Sequence, residues 1–431
     1  MTMRTPDRTT GGNDALRSLE ELNSRIIFLL FVLILAAGIM VTPAVAAEDN
    51  PQMSITAGKG GFLLTSPDGD FVIKIRGYVQ ADSRFFLQDQ PTAIDTFTLR
   101  RVRPIFEGTV YKIFDFRIMP DFGGGTTVLQ DAYLDAKFHP LLKLRFGKAK
   151  APFGLERLQS GTDIEFAERS LATNLVPNRD LGIQLTGDIA GDKFSYQAAV
   201  MNGVVDGGSS DNDNGQSKDF VGRIFAKPVA GLGAGIAYST GSTQGSLLTP
   251  NLPNYRTSGQ QTFFRYRTST TLTDATLANG TRYRISPQFN YYRGPVGVLG
   301  EYVLSSQEVR RDLTTARIEN TAWNLTGSFV LTGESASYKG VAPENPFDTS
   351  SGKFGAFEVV ARYSELDVDD DAFPLFADPL TQASRASLWS VGLNWYLNKN
   401  VKFYFNYDQT DFDGGSLETE KLFLSRFQIS F

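Results

Sequence analysis

The chain has 431 residues, a formal net charge of −5, 41% apolar residues and no cysteine. Lack of cysteine excludes a disulfide framework and a thiolate metal site, and the acidic balance argues against a general nucleic-acid binder, which needs a basic surplus.

Polar residues run to Arg25, an apolar stretch follows from Ile26 to Val41, and Ala44-Val45-Ala46 precedes Ala47. This is the layout of a secretory signal, predicted over 1–46 and removed on export. Its apolar run is shorter than the roughly 20 residues of a spanning helix. Ahead of it Arg4, Arg8, Arg17 and Arg25 are balanced by Asp7, Asp14, Glu20 and Glu21. A signal expects a positive excess there, so the true start codon is expected downstream of Met1. About 385 residues remain after cleavage, enough for two or three soluble domains, yet no linker is visible. A short periplasmic segment, 47–70, leads into a single predicted domain, 71–431.

That domain opens with "FVIKIRGYVQAD" (71–82), in which Phe71, Ile73, Ile75, Gly77, Val79 and Ala81 alternate with Lys74, Arg76, Tyr78, Gln80 and Asp82. The period is two, so this is a strand with one apolar face. The pattern returns at 357–364, 389–397 and 401–408, and such runs total roughly sixteen, each near the 9 to 11 residues that cross a bilayer at a tilt. Short turns are expected at 139–141, 191–192, 228–230, 294–295 and 398–400. Long polar loops are expected at 148–180, 203–217, 241–280, 307–320 and 367–384. Short connections at one end and long ones at the other predict an all-β, antiparallel transmembrane barrel with periplasmic turns and external loops. One stretch breaks the rule: 333–352, "GESASYKGVAPENPFDTSSG", counts as periplasmic yet is long.

Phe138, Tyr291, Tyr292, Trp395 and Tyr396 stand at predicted periplasmic strand ends, as an aromatic girdle would. At the C-terminus Phe423, Phe427, Ile429 and Phe431 share a face with Ser425. That strand is expected to pair with the first, because hydrocarbon cannot satisfy an open edge. An apolar-alternating last strand ending in Phe also resembles the signal read by the barrel-assembly machinery.

Placing Lys or Arg on the lipid face near the midplane costs roughly 2 to 4 kcal/mol. Lys74 and Arg76 must therefore face the lumen, which in a barrel of this size is open to water. Arg101 and Arg103 in "LRRVRPIFEG" share a face and are read as lumenal, while Arg100 is read as a mouth residue that snorkels to the headgroups. Arg117, Lys143 and Arg145 also alternate away from apolar neighbours. From Phe71 to Arg179 there are 16 Lys and Arg against 12 Asp and Glu, and acids such as Asp367, Asp369, Asp370 and Asp371 fall in loops. A basic wall with an acidic rim suits an anion pore, and guanidinium groups suit phosphate because they are always charged and bind its oxygens bidentately. The competing reading is that these charges merely keep a water-filled wall solvated.

"GKAKAPFGLE" (147–156) and "IEFAERSLATNLVPNRDLGIQLTG" (164–187) resemble the segment shared by the phosphate-selective porin O and P family. "FTLRRVRPIFEGTVY", "ISPQFNYYRGPVGVLGEYV", "VLTGESASYKG" and "SVGLNWYLN" are similar to it as well. The resemblance implies a sixteen-stranded, homotrimeric outer-membrane channel whose third external loop, here Lys148 to Asp180, folds inward to narrow the pore. It adds Lys148 and Lys150 to the pore-lining wall cations, and Pro152, Phe153, Gly154, Glu156, Arg157, Arg169 and Arg179 as candidate constriction residues. Within this loop Lys148, Lys150, Arg157, Arg169 and Arg179 meet Glu156, Asp163, Glu165, Glu168 and Asp180, so the local sign is undecided.

The Asp211–Gly215 run lacks the distal glutamate of a helical calcium loop, and the single histidine, His139, sits in a predicted turn, so neither a metal, a cofactor nor catalysis is expected. Gly123–Gly125 joins two strands and is no phosphate-cradling helix start. The leading expectation is a passive outer-membrane channel for phosphate and similar small anions, embedded among lipid and lipopolysaccharide. The alternatives are a general diffusion porin and, from another class, an adhesive or structural barrel using the 241–280 loop.

Overall fold

The computed structural model describes residues 53–58, 60–87, 93–191, 193–213, 215 and 217–431; the expected signal peptide lies outside them. Strands β1 (Ser54–Gly58) and β2 (Gly61–Thr65) form a hairpin. Sixteen staves follow: β3 (Phe71–Phe86), β4 (Thr96–Val110), β5 (Phe114–Asp121), β6 (Val128–His139), β7 (Leu142–Lys150), β8 (Arg179–Ile189), β9 (Phe194–Met201), β10 (Asp219–Val229) and β11 (Leu232–Gln244) in the first half. After a small external hairpin of β12 (Asn254–Arg256) and β13 (Thr262–Arg265) come β14 (Thr276–Arg293), β15 (Val296–Arg311), β16 (Thr314–Val330), β17 (Ala356–Asp367), β18 (Arg385–Tyr396), β19 (Val401–Asp413) and β20 (Glu420–Ser430). Each stave pairs antiparallel with the next, and β20 closes on β3 from Ser430↔Tyr78 to Leu422↔Phe86. Closure leaves no open edge, the condition for spanning a bilayer with strands. Below the closure β2 covers Val72 to Ile75 of β3.

Register follows the predicted alternation. Ile73, Ile75 and Val79 are exposed on the outer surface, whereas Gln80 and Asp82 are buried within. Phe423, Phe427 and Ile429 face out and Arg426 faces in. On the outside Trp395 stacks on Phe357 and Phe403, and a second aromatic tier pairs Trp323 with Tyr363 and Trp389 with Tyr407. Two expected girdle members turn inward instead: Tyr292 donates to Glu165 and Tyr396 to Glu358, each at 2.8 Å. In both dipeptides adjacent residues take opposite faces, so one ring of each pair had to enter the lumen.

The long and short connections alternate as expected, with one exception at the loop end. The polar stretch 307–320 is not a loop, because β15 and β16 run on in register to Arg311↔Thr314 and turn tightly. The 331–355 connection does lie at the turn end, and its backbone folds into the barrel, with Ala336 N–H donating to Gly294 O at 2.8 Å.

The lumen is partly filled. Phe153, Leu171, Leu175 and Val176 of the third long loop pack with Tyr255, Phe263 and Phe264 of the fifth and Phe376 of the seventh, against Val303 and Ile318 of the wall. This apolar body displaces the open space towards β3 to β8.

Candidate functional site

The third long loop spans 151–178 and carries a single helical turn, α1 (Leu155–Leu158). Gly154 enters that turn at φ 74°, where a Cβ would lie 2.5 Å from Val176 Cγ1, so both conformation and packing demand glycine. Glu301 of β15 accepts from the Leu155 and Glu156 N–H groups at 2.6 and 3.3 Å. Phe153 anchors the loop in the apolar body with no exposed surface.

Three chambers run past this loop. The outermost, 420 Å³, is lined by Arg100, Arg101, Arg157, Arg169 and the β12–β13 hairpin. The middle one, 430 Å³, shares those four arginines and adds Arg84, Arg103, Lys150 and Arg179. The innermost, 570 Å³, shares Lys150, Gly161 and Arg179 with it and reaches Lys399 and Phe431 at the turn end. At ~30 Å³ per water, the middle chamber has room for an anion together with part of its hydration shell.

None of the five acids between Lys148 and Asp180 lines the middle chamber; among the described residues only Glu168 accepts hydrogen bonds from cations, and the rest are held by neutral donors. Glu156 is stapled to Ser170, accepting from its N–H at 3.1 Å and its hydroxyl at 2.5 Å. Glu165 is bonded to Tyr292, and Asp180 accepts from the N–H groups of Leu181 and Gly203. Glu168 meets wall arginines: Arg100 at 2.6 Å, Arg426 at 3.1 Å and Arg84 at 3.4 Å. Asp163, which accepts from Thr162 Oγ1 at 2.7 Å, faces the innermost chamber.

The cations divide into two sets. In the first, each has a carboxylate. Arg76 pairs bidentately with Glu107 at 2.8 Å, Arg103 with Asp121 at 2.7 Å, and Arg117 with Glu107 and Asp131. Lys143 and Arg145 share Asp135, and Arg179 binds Asp131 at 2.7 Å. In the second set no carboxylate lies within ion-pair reach among the described residues. Arg101 donates to Gln80 Oε1 at 2.6 Å. Lys150 Nζ donates to the carbonyls of Gln159 at 2.8 Å and Leu158 at 3.2 Å. Arg157 donates to Thr173 O at 2.7 Å, and Arg169 to Glu156 O and Gln159 O at 3.1 and 2.8 Å. Amide oxygens fix a cation's position without cancelling its charge. Burial, and then Arg169 beside it, push the Arg157 guanidinium below its ordinary value, a penalty that a bound anion relieves.

All nine expected wall cations belong to the barrel wall, but not all meet the chambers. Lys148 lines none of the three; its buried ammonium pairs with Asp211 of the fourth long loop. Lys143 lines none either. Lys74 lies beneath the closure, beside the N-terminal hairpin at Gly60. In the loop, Pro152 reaches the innermost chamber, while Phe153, Gly154 and Glu156 serve its internal packing. Arg100 is no mouth residue: Gln80 pairs with Arg101 and Ala81 with Leu99, so Arg100 is the extra residue of a β-bulge. The bulge sends Arg100 into the lumen beside Arg101.

Sequence reasoning missed Arg84, Gln80, Glu301, Arg362 and Arg426. For Arg362 and Arg426 the alternation of their strands carried the signal. Arg426 is fully buried and binds Asp82 bidentately at 2.6 and 2.8 Å.

Comparison with known proteins agrees with this geometry. Porin O of Pseudomonas aeruginosa is 26% identical over 412 residues, covering 87% of this chain and 91% of that protein. The outer-membrane channel DcaP of Acinetobacter baumannii superposes with a TM-score of 0.55 at 12% identity, covering 87% of this chain and 99% of that one. The anion-selective porin of Comamonas acidovorans gives 0.51 at 11%, covering 84% and 100%. The model of the family described as phosphate-selective porin O and P matches residues 73–425, and with its sixteen-stranded closed barrel the chain belongs to that family of bacterial outer-membrane channels.

Proposed function

We propose that Arg101, Lys150, Arg157 and Arg169 form the anion-selecting constriction of a passive channel, and that phosphate is among the solutes it favours. The observation that carries this reading is their lack of carboxylate partners in a buried chamber where every other lining cation is paired. Unpaired, desolvated charge is costly, and a multivalent anion offsets the cost of several such groups at once. Arg157 and Arg169 present planar donors suited to phosphate oxygens, and Lys150 a point charge. Family membership and the name of the Pseudomonas relative's family support phosphate as the solute. The paired cations of the inner chamber act as a solvated wall and give little preference of their own.

The functional unit is a homotrimer in lipid and lipopolysaccharide, as the trimeric form of a structural neighbour, OmpT of Vibrio cholerae (TM-score 0.51), supports. Reconstitution in planar bilayers tests the reading. A chloride gradient is expected to give an anion-selective zero-current potential, and added phosphate to reduce chloride current saturably. A cation-selective potential overturns it.

A further inference from the structure

The long periplasmic connection, 331–355, is unexplained by barrel closure, which elsewhere needs only short turns at that end. It enters the lumen beneath α1. Tyr338 Oη donates to Leu155 O at 2.5 Å, and Gln159 Nε2 donates back to Tyr338 O at 3.0 Å. The Tyr338 ring packs against Leu155, Phe225 and Leu299, and the bend is held by Ser337 Oγ donating to Gly340 O at 2.7 Å. The turn so gripped, Leu155 to Gln159, is the one whose carbonyls hold the charges. Gln159 O receives both Lys150 and Arg169, Leu158 O receives Lys150, and Glu156 O receives Arg169. Glu301 fixes the same turn from the wall side through its first two N–H groups.

We infer that the 331–355 connection is part of the selectivity apparatus, with Tyr338 a positioning residue that sets the placement of Lys150 and Arg169 through the Leu155–Gln159 turn. This rests on the constriction reading above. Anion affinity depends steeply on how the cations converge, and neutral carbonyls hold them only as firmly as the turn itself is held. Control of an external-loop constriction thereby reaches the periplasmic face.

The experiment uses the full-length channel in planar bilayers, with inorganic phosphate titrated against chloride current. Tyr338→Phe keeps the ring and removes the hydroxyl. It is expected to raise the half-blocking phosphate concentration three- to tenfold, as for loss of one buried hydrogen bond, while the zero-current potential in a chloride gradient stays put because no charge has changed. Combined with Lys150→Gln, its effect is expected to be smaller than alone, since one of the two groups it positions is gone. A Tyr338→Phe channel indistinguishable from wild type in phosphate block, or fully multiplicative with Lys150→Gln, overturns the inference. If Tyr338→Phe does not reach the heat-modifiable folded form, Gln159→Met breaks the other half of the clamp and is read the same way. A wild-type channel that phosphate does not block overturns the constriction reading itself, whereas a blocked wild type with an indifferent Tyr338→Phe removes the positioning role alone.

Discussion

Replacing Arg101 by glutamine removes one of the middle chamber's four uncompensated charges and keeps a polar amide opposite Gln80. A unit charge ~4 Å from a monovalent anion contributes about 1 kcal/mol in bulk water and about 4 kcal/mol at an effective dielectric constant near 20. A phosphate dianion doubles both figures. At the weaker limit Arg101→Gln therefore costs chloride about 1 kcal/mol and phosphate about 2 kcal/mol, or roughly fivefold and thirtyfold in affinity. The assay is phosphate titration of chloride current at mildly alkaline pH, beside chloride saturation of conductance. Lys143→Gln is the control, because Lys143 is paired with Asp135 and lines no chamber. Equal factors for the two anions, or a phosphate shift below threefold, refute the electrostatic account, since a field acting on charge must scale with valence.

Arg426→Met takes the bidentate partner from the buried carboxylate of Asp82, leaving it Arg84 at 3.6 Å; breaking such a pair costs about 3 to 5 kcal/mol, seen as a lower temperature of heat-modified migration. Gly154→Ala forces a Cβ onto Val176 at positive φ, and should cost about 1 to 3 kcal/mol and broaden the single-channel conductance distribution as the loop shifts. Val391→Arg places a charge on the outer face of β18, where Val391 is exposed, and should lower folding stability in lipid vesicles by about 2 to 4 kcal/mol, measured by urea titration.

The barrel was legible because a bilayer punishes charge on its outer face, so period-two alternation at Lys74 and Arg76 reports a side as well as a strand. Local chemistry also located the short turns. What escaped was non-local or a matter of one residue. Arg100 was misplaced because the bulge opposite Gln80 and Ala81 shifts parity without leaving a composition signal. The 307–320 stretch looked like a loop since strands that extend beyond the membrane become polar on their outer face, here Glu308, Arg310, Arg317 and Glu319, with Val309 and Ile318 turned inward. Lys148 matched the wall pattern but is consumed by Asp211, 63 residues away. The five-against-five balance of the third loop could not be resolved by counting, because Glu168 is cancelled by wall arginines, Arg100 and Arg426, 68 and 258 residues away.

That cancellation explains how a chain of net charge −5 can present a basic pore. Selectivity depends on charges that remain uncompensated where water is scarce, and the sum over the chain includes acids at external rims such as Asp369 to Asp371, which solvent and salt screen within a Debye length of about 8 to 10 Å. Inside, the apolar body of Phe153, Leu175, Phe263 and Phe264 fills the lumen on the side of β9 to β18. It offers low polarisability where a wider pore would offer water. The field of four fixed cations is thereby focused into the remaining passage rather than dissipated. In the proposed constriction, packing of the third, fifth and seventh loops and charge placement on β4, β7 and the third loop itself are one device: the loops narrow the path, and in narrowing it they make each unpaired cation count for more.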